Sequence, residues 1–396
     1  MYSFSDQIHS QLDMISSFMR RYDNTLYTVN GGLPGEILFY FYYHDLTKDE
    51  QYLDTAIEKL EKYYDILEQE TLESSLYSSG IAGIGWFLEH ISRFVEIDNA
   101  FNDPEIDHIL TENIRLTLKK GNYEFFYGVA GMLLYCLSRK NSVDFKGVIA
   151  EAIDFLYDHT VAANDPYRFF MENDKEHQNA SINLGVSHGV FGLVAVLTKA
   201  YQKQINVPKC KEIIYLVVQL ALKNRLDSRK HNCFFPNRII FDKTVPVTGS
   251  KLSWCYGDLG ILAVLLNTSK ALKDDALEDE TLRMLRYNSH RKNLEDNAVR
   301  DVWMCHGTSG IAHIFNRLYR TTAMDDFKFA SNYWYQITLQ NISKGHFQIS
   351  GSGTHSGAFE RRDLTGFLLG HAGLGLSLMG AIAPFDPEWD EMLLLS

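Results

Sequence analysis

Residues 128–137 read GVAGMLLYCL, two glycines three apart followed by an apolar run. The element occurs seven times: GLPGEILFY from Gly32, GIAGIGWFL from Gly80, GVAGMLLYCL from Gly128, GVFGLVAVL from Gly189, GDLGILAVLL from Gly257, GTSGIAHIF from Gly307 and GHAGLGLSLM from Gly370. Successive first glycines are separated by 48, 48, 61, 68, 50 and 63 residues, a period that marks a repeat architecture. The first copy departs from the others, with Glu36 where they carry Ile, Leu or Met.

Between these elements lie stretches of another character. Leu53, Ala56, Ile57, Leu60, Tyr64 and Leu67 recur at helical spacing among Asp, Glu and Lys, as do Val148, Ile149, Ala152, Ile153 and Leu156; both predict helices with one apolar face. The runs after Gly-x-x-Gly are apolar all round, which predicts helices covered on most sides. Each repeat therefore pairs one outer with one inner helix. Seven pairs can form an open array or close into a ring. Closure is favoured because no end repeat is an obvious polar cap and because glycines opening every inner helix suit convergence on a centre. The expected fold is all-α, a single α/α toroid domain over residues 1–396. The long gaps hold irregular segments, Asn164 to Asn183, Asp227 to Ser250 and Gly345 to Gly357, each just ahead of a Gly-x-x-Gly and so expected to overhang one mouth.

The bulk numbers suit a soluble protein of one or two domains: 396 residues, 45% hydrophobic. The opening MYSFSDQIHS has no basic stretch leading into an apolar run, and nowhere do eighteen apolar residues follow without interruption; neither secretion nor a membrane span is expected. Five scattered cysteines, Cys136, Cys210, Cys233, Cys255 and Cys305, form an odd set that suits reduced thiols in cytoplasm. With 38 Lys+Arg against 50 Asp+Glu, a formal charge of -12, and no basic stripe, nucleic acid is not an expected partner.

Counted against the first glycine of each repeat, the reactive side chains fall in register. Cys255 and Cys305 lie two residues before Gly257 and Gly307; His188 and His306 lie one residue before Gly189 and Gly307. Equivalent repeats would bring all four to one end. Two thiolates and an imidazole suit Zn²⁺, and a set of three leaves a position open, as catalytic zinc sites do. Taken singly, the cysteines read equally as small buried fillers beside Trp254 and Met304, and His188 as a histidine bonded to backbone at a helix start. An open zinc site can activate water or a thiol. Two thiolate ligands weaken its Lewis acidity and favour sulfur chemistry, with His188 placed to move the proton.

The strings NLGVSHGVFG, SWCYGDLG and MCHGTSGIAHIF resemble the signature motifs of lanthionine synthetase C (LanC) cyclases, and the seven glycine elements resemble that family's toroid, over essentially the whole chain. The resemblance implies one catalytic Zn²⁺ on Cys255, Cys305 and His306, with a substrate cysteine sulfur as fourth ligand. That thiolate would add to a dehydroalanine or dehydrobutyrine of a dehydrated precursor peptide, closing a thioether ring. It further implies His188 as acid/base and Tyr256 as the tyrosine after the first zinc cysteine. Two positions depart from the bacterial pattern: Glu124 where aspartate is usual and Lys251 where arginine is usual. Glutamate reaches farther, and lysine offers a point charge in place of a planar fork. Partners implied are a dehydratase and an exporter in a modification complex, reached from the cytoplasm. Three other readings stand beside this one. They are a LanC-like protein adding glutathione to dehydrated protein residues, a toroidal glycosidase using Glu124 and Asp363, and a noncatalytic peptide-binding scaffold. His371, directly after Gly370, carries no assigned role, and Asp258 reads as a helix N-terminal charge.

Overall fold

A computed structural model describes residues 3–72, 74–97, 103–139, 145–173, 180–242, 244–348 and 364–396. Its helices are, in chain order, α1 (Phe4–Arg21), α2 (Leu33–Thr47), α3 (Glu50–Gln69), α4 (Ile81–Ile91), α5 (Pro104–Lys119), α6 (Val129–Ser138), α7 (Lys146–His159), α8 (Val190–Gln202), α9 (Val207–Lys223), the single turn α10 (Ser228–His231), α11 (Asp258–Leu272), α12 (Asp275–Ser289), α13 (Thr308–Thr322), α14 (Asp325–Ile342) and α15 (His371–Ile382). Each Gly-x-x-Gly opens a helix: α2, α4, α6, α8, α11, α13 and α15 all begin at the residue after the first glycine.

The two helix types differ in how they start. Among the outer helices, α1, α3, α5 and α12 carry polar side-chain caps, Ser3, Asp49, Asp103 and Asp274, each accepting a free first-turn N–H, whereas α7, α9 and α14 start without one. The inner helices α2, α6, α8, α11, α13 and α15 begin on glycine with no side-chain cap. The cause is steric. The chain ahead of each inner helix folds back tightly enough for a carbonyl to abut the glycine. A Cβ on Gly257 would lie 1.9 Å from the Lys251 carbonyl oxygen and one on Gly260 2.0 Å from that of Trp254. Gly257 also sits at φ +128°, a region open to glycine alone.

The chain divides into two compact units. The first comprises 1–73, 90–97 and 292–391; the second comprises 74–89, 98–291 and 392–396. In the first, α2 packs on α3, α13 on α14, and α15 on α1, α2 and α13. In the second, α8 packs on α6, α9 and α11, α11 on α12, and α5 on α6 and α7. Inner helices are buried almost throughout, as α8 shows from Val190 to Thr198. On α7 the expected face, Val148, Ile149, Ala152, Ile153 and Leu156, is the buried one. On α3 the face is rotated: Tyr52, Ala56, Leu60 and Tyr63 are buried, while Ile57 is exposed, because the large tyrosine rings claim the contact.

The irregular segments contain a small sheet absent from the sequence expectation. Strands β1 (Glu172–Asn173), β2 (Ala180–Asn183) and β3 (Arg238–Ile240) pair antiparallel in that order, with Ser181 opposite both Glu172 and Ile240. Residues 349–357 of the third segment, and Asp363, lie outside the described residues.

Glu36 gains a physical reason in the first unit. It is fully buried and accepts from Lys59 Nζ of α3 at 2.7 Å and from Asn24 Nδ2 at 3.0 Å. Asn24 also donates to Thr365 Oγ1 at 2.9 Å, just ahead of the last repeat. The charge that breaks the repeat pattern thus ties the first repeat to the segment opening the seventh.

Candidate active site and metal ligands

In the second unit the site is built by stitching one pre-helix turn to the next. The main-chain N–H of Val186 donates to the Cys255 carbonyl at 3.0 Å, and Gly185 must be glycine because a Cβ there would meet that carbonyl oxygen at 2.7 Å. The strings containing His188 and Cys255 are thereby held side by side. Cys255 is buried, 8% exposed, with Ser253 Oγ 3.9 Å from its Sγ. Beneath it Trp254 is buried and donates Nε1–H to the Leu393 carbonyl at 2.7 Å. Tyr256 packs 6.1 Å from the His188 ring and shares a hydrogen bond with Asn183; burial pushes its phenol above the ordinary value. Lys251 is exposed where this turn begins.

His188 is the most fully specified side chain. Its Nδ1 lies 2.6 Å from Glu124 Oε2, with Glu124 12% and His188 34% exposed. A carboxylate there accepts from Nδ1–H, so that any proton exchange by this ring would fall to Nε2. Glu124 Oε1 in turn accepts the main-chain N–H of Tyr127, so its carboxylate is held at both oxygens. The longer reach of glutamate therefore still yields a direct contact. The Tyr127 ring stacks on the imidazole, and Phe126 meets it edge-on at 5.5 Å.

Asp258 does more than charge a helix start. It is fully buried and accepts from the main-chain N–H of Phe234 at 2.8 Å and of Phe235 at 2.9 Å, from Asn288 Nδ2 at 3.3 Å and from Arg291 at 3.3 Å. Arg291 also donates to the Ser250 carbonyl at 3.3 Å. This network fastens 234–235 and the start of the Lys251–Gly257 turn to the end of α12. Burial raises the Asp258 carboxyl above its usual value, against the pull of Arg291.

In the first unit the turn before α13 presents Cys305 and His306. The Cys305 main-chain N–H donates to the Leu368 carbonyl at 3.0 Å. His306 Nε2 lies 3.2 Å from Asp301 Oδ2, and Asp301 Oδ1 accepts from the Trp303 main-chain N–H at 2.9 Å. A histidine bonded to carboxylate through Nε2 offers Nδ1 as a donor to metal, the arrangement in which a carboxylate orients a ligating imidazole. Asp301 was not anticipated from sequence, although it stands four residues before Cys305 as Lys251 does before Cys255. His371 has a packing role. Its ring lies against Phe18, Trp303 and Phe347, its Nδ1 lies 2.6 Å from the Leu364 carbonyl, and burial lowers its pKa.

Cys255 of the second unit and Cys305 and His306 of the first carry soft sulfur and imidazole donors, a donor set whose chemistry fits zinc. The other thiols are of a different kind: burial raises all three, Cys210 to about 12, as befits unreactive core residues. No helix among the described residues is long and apolar enough to cross a membrane.

Comparison with known proteins agrees with this architecture. A family model described as lanthionine synthetase C-like protein matches residues 21–394. The nisin biosynthesis protein NisC of Lactococcus lactis subsp. lactis is 23% identical over 357 residues, covering 82% of this chain and 81% of that protein. The solved structure of nisin cyclase superposes with a TM-score of 0.79 at 20% identity, covering 98% of this chain and 97% of that one. That likeness shows the fold, an α/α toroid built from helical hairpins. With the family model spanning nearly every residue, the chain belongs to the lanthionine synthetase C-like protein family.

Proposed function

We propose that this chain is a zinc-dependent peptide cyclase. It adds cysteine thiols to dehydroalanine or dehydrobutyrine within one ribosomally made precursor peptide, forming lanthionine or methyllanthionine rings in the cytoplasm. The observation that carries this reading is the Glu124–His188 pair fastened through main-chain bonds to the turn bearing Cys255; family membership and the cyclase named among its relatives support it.

Cys255, Cys305 and His306 would hold one zinc, the whole chain acting as a single catalytic domain. When bound, zinc keeps a substrate thiol as thiolate at neutral pH. The chain's own residues manage the proton and the developing charge. His188 Nε2 takes the thiol proton; the new C–S bond forms at the β-carbon as the alkene electron pair moves to the α-carbon and its carbonyl. The same imidazole returns a proton to the α-carbon, so the addition is balanced. Glu124 steadies the imidazolium at Nδ1, and Tyr256 and Lys251 stabilise the enolate oxygen. The glycosidase alternative leaves the two cysteines and His306 unexplained.

The test is mass spectrometry with thiol-alkylation counting on a dehydrated precursor peptide before and after the enzyme, with a parallel arm of dehydrated protein plus glutathione. Wild type closes rings, Cys305→Ala loses zinc and rings together, and His188→Asn keeps zinc but stalls. Rings at the wild-type rate from either variant contradict the assignment; activity in the glutathione arm alone transfers it to intermolecular thiol addition. The scaffold reading requires His188→Asn to be without effect.

A further inference from the structure

We propose that Tyr127 is the positioning residue that fixes the plane of the His188 imidazole. The inference rests on reading His188 as the proton-transfer group. A single contact at Nδ1 places one corner of the ring but leaves it free to swing about that hydrogen bond. The Tyr127 ring lies parallel to the imidazole, with 8° between the planes and centroids 5.6 Å apart, the offset geometry that aromatic pairs prefer. Phe126 closes a second side, its plane turned 63° to the imidazole.

The turn is built to hold Tyr127 there. Its main-chain N–H donates to Glu124 Oε1, and its carbonyl accepts from Asn122 Nδ2 at 2.6 Å. Gly128 follows at once as the start of α6, with no room for a Cβ beside the Glu124 main chain. The four residues 124–127 thus grip His188 at an edge through Glu124 and on a face through Tyr127. Tyr127 remains 50% exposed, so hydrophobic burial is not the main reason for its ring. With Nδ1 engaged and one face covered, the ring is left with Nε2 as the nitrogen open to a reacting group.

The experiment uses the full-length zinc-loaded protein with Tyr127→Ala, Tyr127→Leu and Tyr127→Phe. It reads cyclisation kinetics on a dehydrated peptide, the rate at which diethyl pyrocarbonate acylates His188, and thermal melting. Tyr127→Ala and Tyr127→Leu should lower kcat by about threefold to tenfold, the scale of one aromatic pair, with KM little changed. His188 acylation should quicken in step, with melting unmoved, while Tyr127→Phe restores both rates. Unchanged kcat and acylation in Tyr127→Ala overturn the proposal, as does a Tyr127→Phe variant as slow as Tyr127→Ala, which would assign the effect to the hydroxyl. If His188→Asn cyclises normally, the proton-transfer reading fails by that result alone; the acylation rates still decide whether Tyr127 covers the imidazole.

Discussion

Arg291→Met removes the cation from a carboxylate that has no access to solvent. Asp258 and Arg291 side chains are 0% and 2% exposed, and deleting one partner of such a pair costs about 3–5 kcal/mol because the other charge stays buried. Asp258 keeps three donors, Phe234 N–H, Phe235 N–H and Asn288, so the low end, about 3 kcal/mol, is expected. The sign with pH follows from the carboxyl. Burial already holds it above its unfolded value, and losing Arg291 raises it further. The penalty is therefore complete above the variant's folded pKa and shrinks as pH falls through it toward the native protein's own, less raised, folded value. Urea unfolding of both proteins at pH 8 and pH 5 reads this directly, with a deficit that is largest at pH 8. Asp258→Asn combined with Arg291→Met should recover most of it, since an amide buries at far lower cost than a lone carboxylate. A deficit below about 1 kcal/mol at pH 8, or one independent of pH, refutes the claim that this pair is buried and coupled.

Asp301→Ala should weaken zinc affinity by about tenfold to a hundredfold while leaving the fold intact, the usual result of removing the carboxylate behind a metal-binding histidine; chelator competition measures it, and unchanged affinity would separate Asp301 from His306. Glu36→Met leaves Lys59 without its buried partner and should cost about 3 kcal/mol or more, while a second change, Lys59→Met, should return much of the loss; the melting temperatures of the three proteins decide it. In the native protein at pH 8, Cys136 and Cys210 should resist iodoacetamide because burial keeps them protonated and covered; modification of either at the rate of an exposed thiol would contradict their core placement.

The repeat architecture was legible because one steric demand recurs. A chain folding back onto each inner helix leaves no room for a side chain, and glycine records that demand seven times. The candidate site residues stood out through the same register, which aligns His188, Cys255, Cys305 and His306 in the sequence without any local metal motif. What escaped notice depends on chain segments whose pairing has no period. Asp301 meets His306 inside a short turn and Tyr127 stacks on His188 from another turn, positions where an aspartate or tyrosine has many ordinary reasons to occur. The three short strands carry too few alternating residues to be told from loop. Asp258 looked like a helix-start charge because sequence cannot show that 234–235 and Arg291 fold over it. Glu36 was visible as an exception, but its reason lies in Asn24, Lys59 and Thr365, up to 341 residues away along the chain.

X-ray absorption at the zinc edge, on the purified full-length chain, bears most directly on the proposed centre. The expected spectrum has two sulfur and at least one imidazole neighbour around one zinc per chain, a sulfur lost in Cys255→Ala and in Cys305→Ala, and a third sulfur gained when a cysteine-bearing dehydrated peptide is added. A zinc shell of oxygen and nitrogen alone, or one that neither cysteine variant alters, would contradict it.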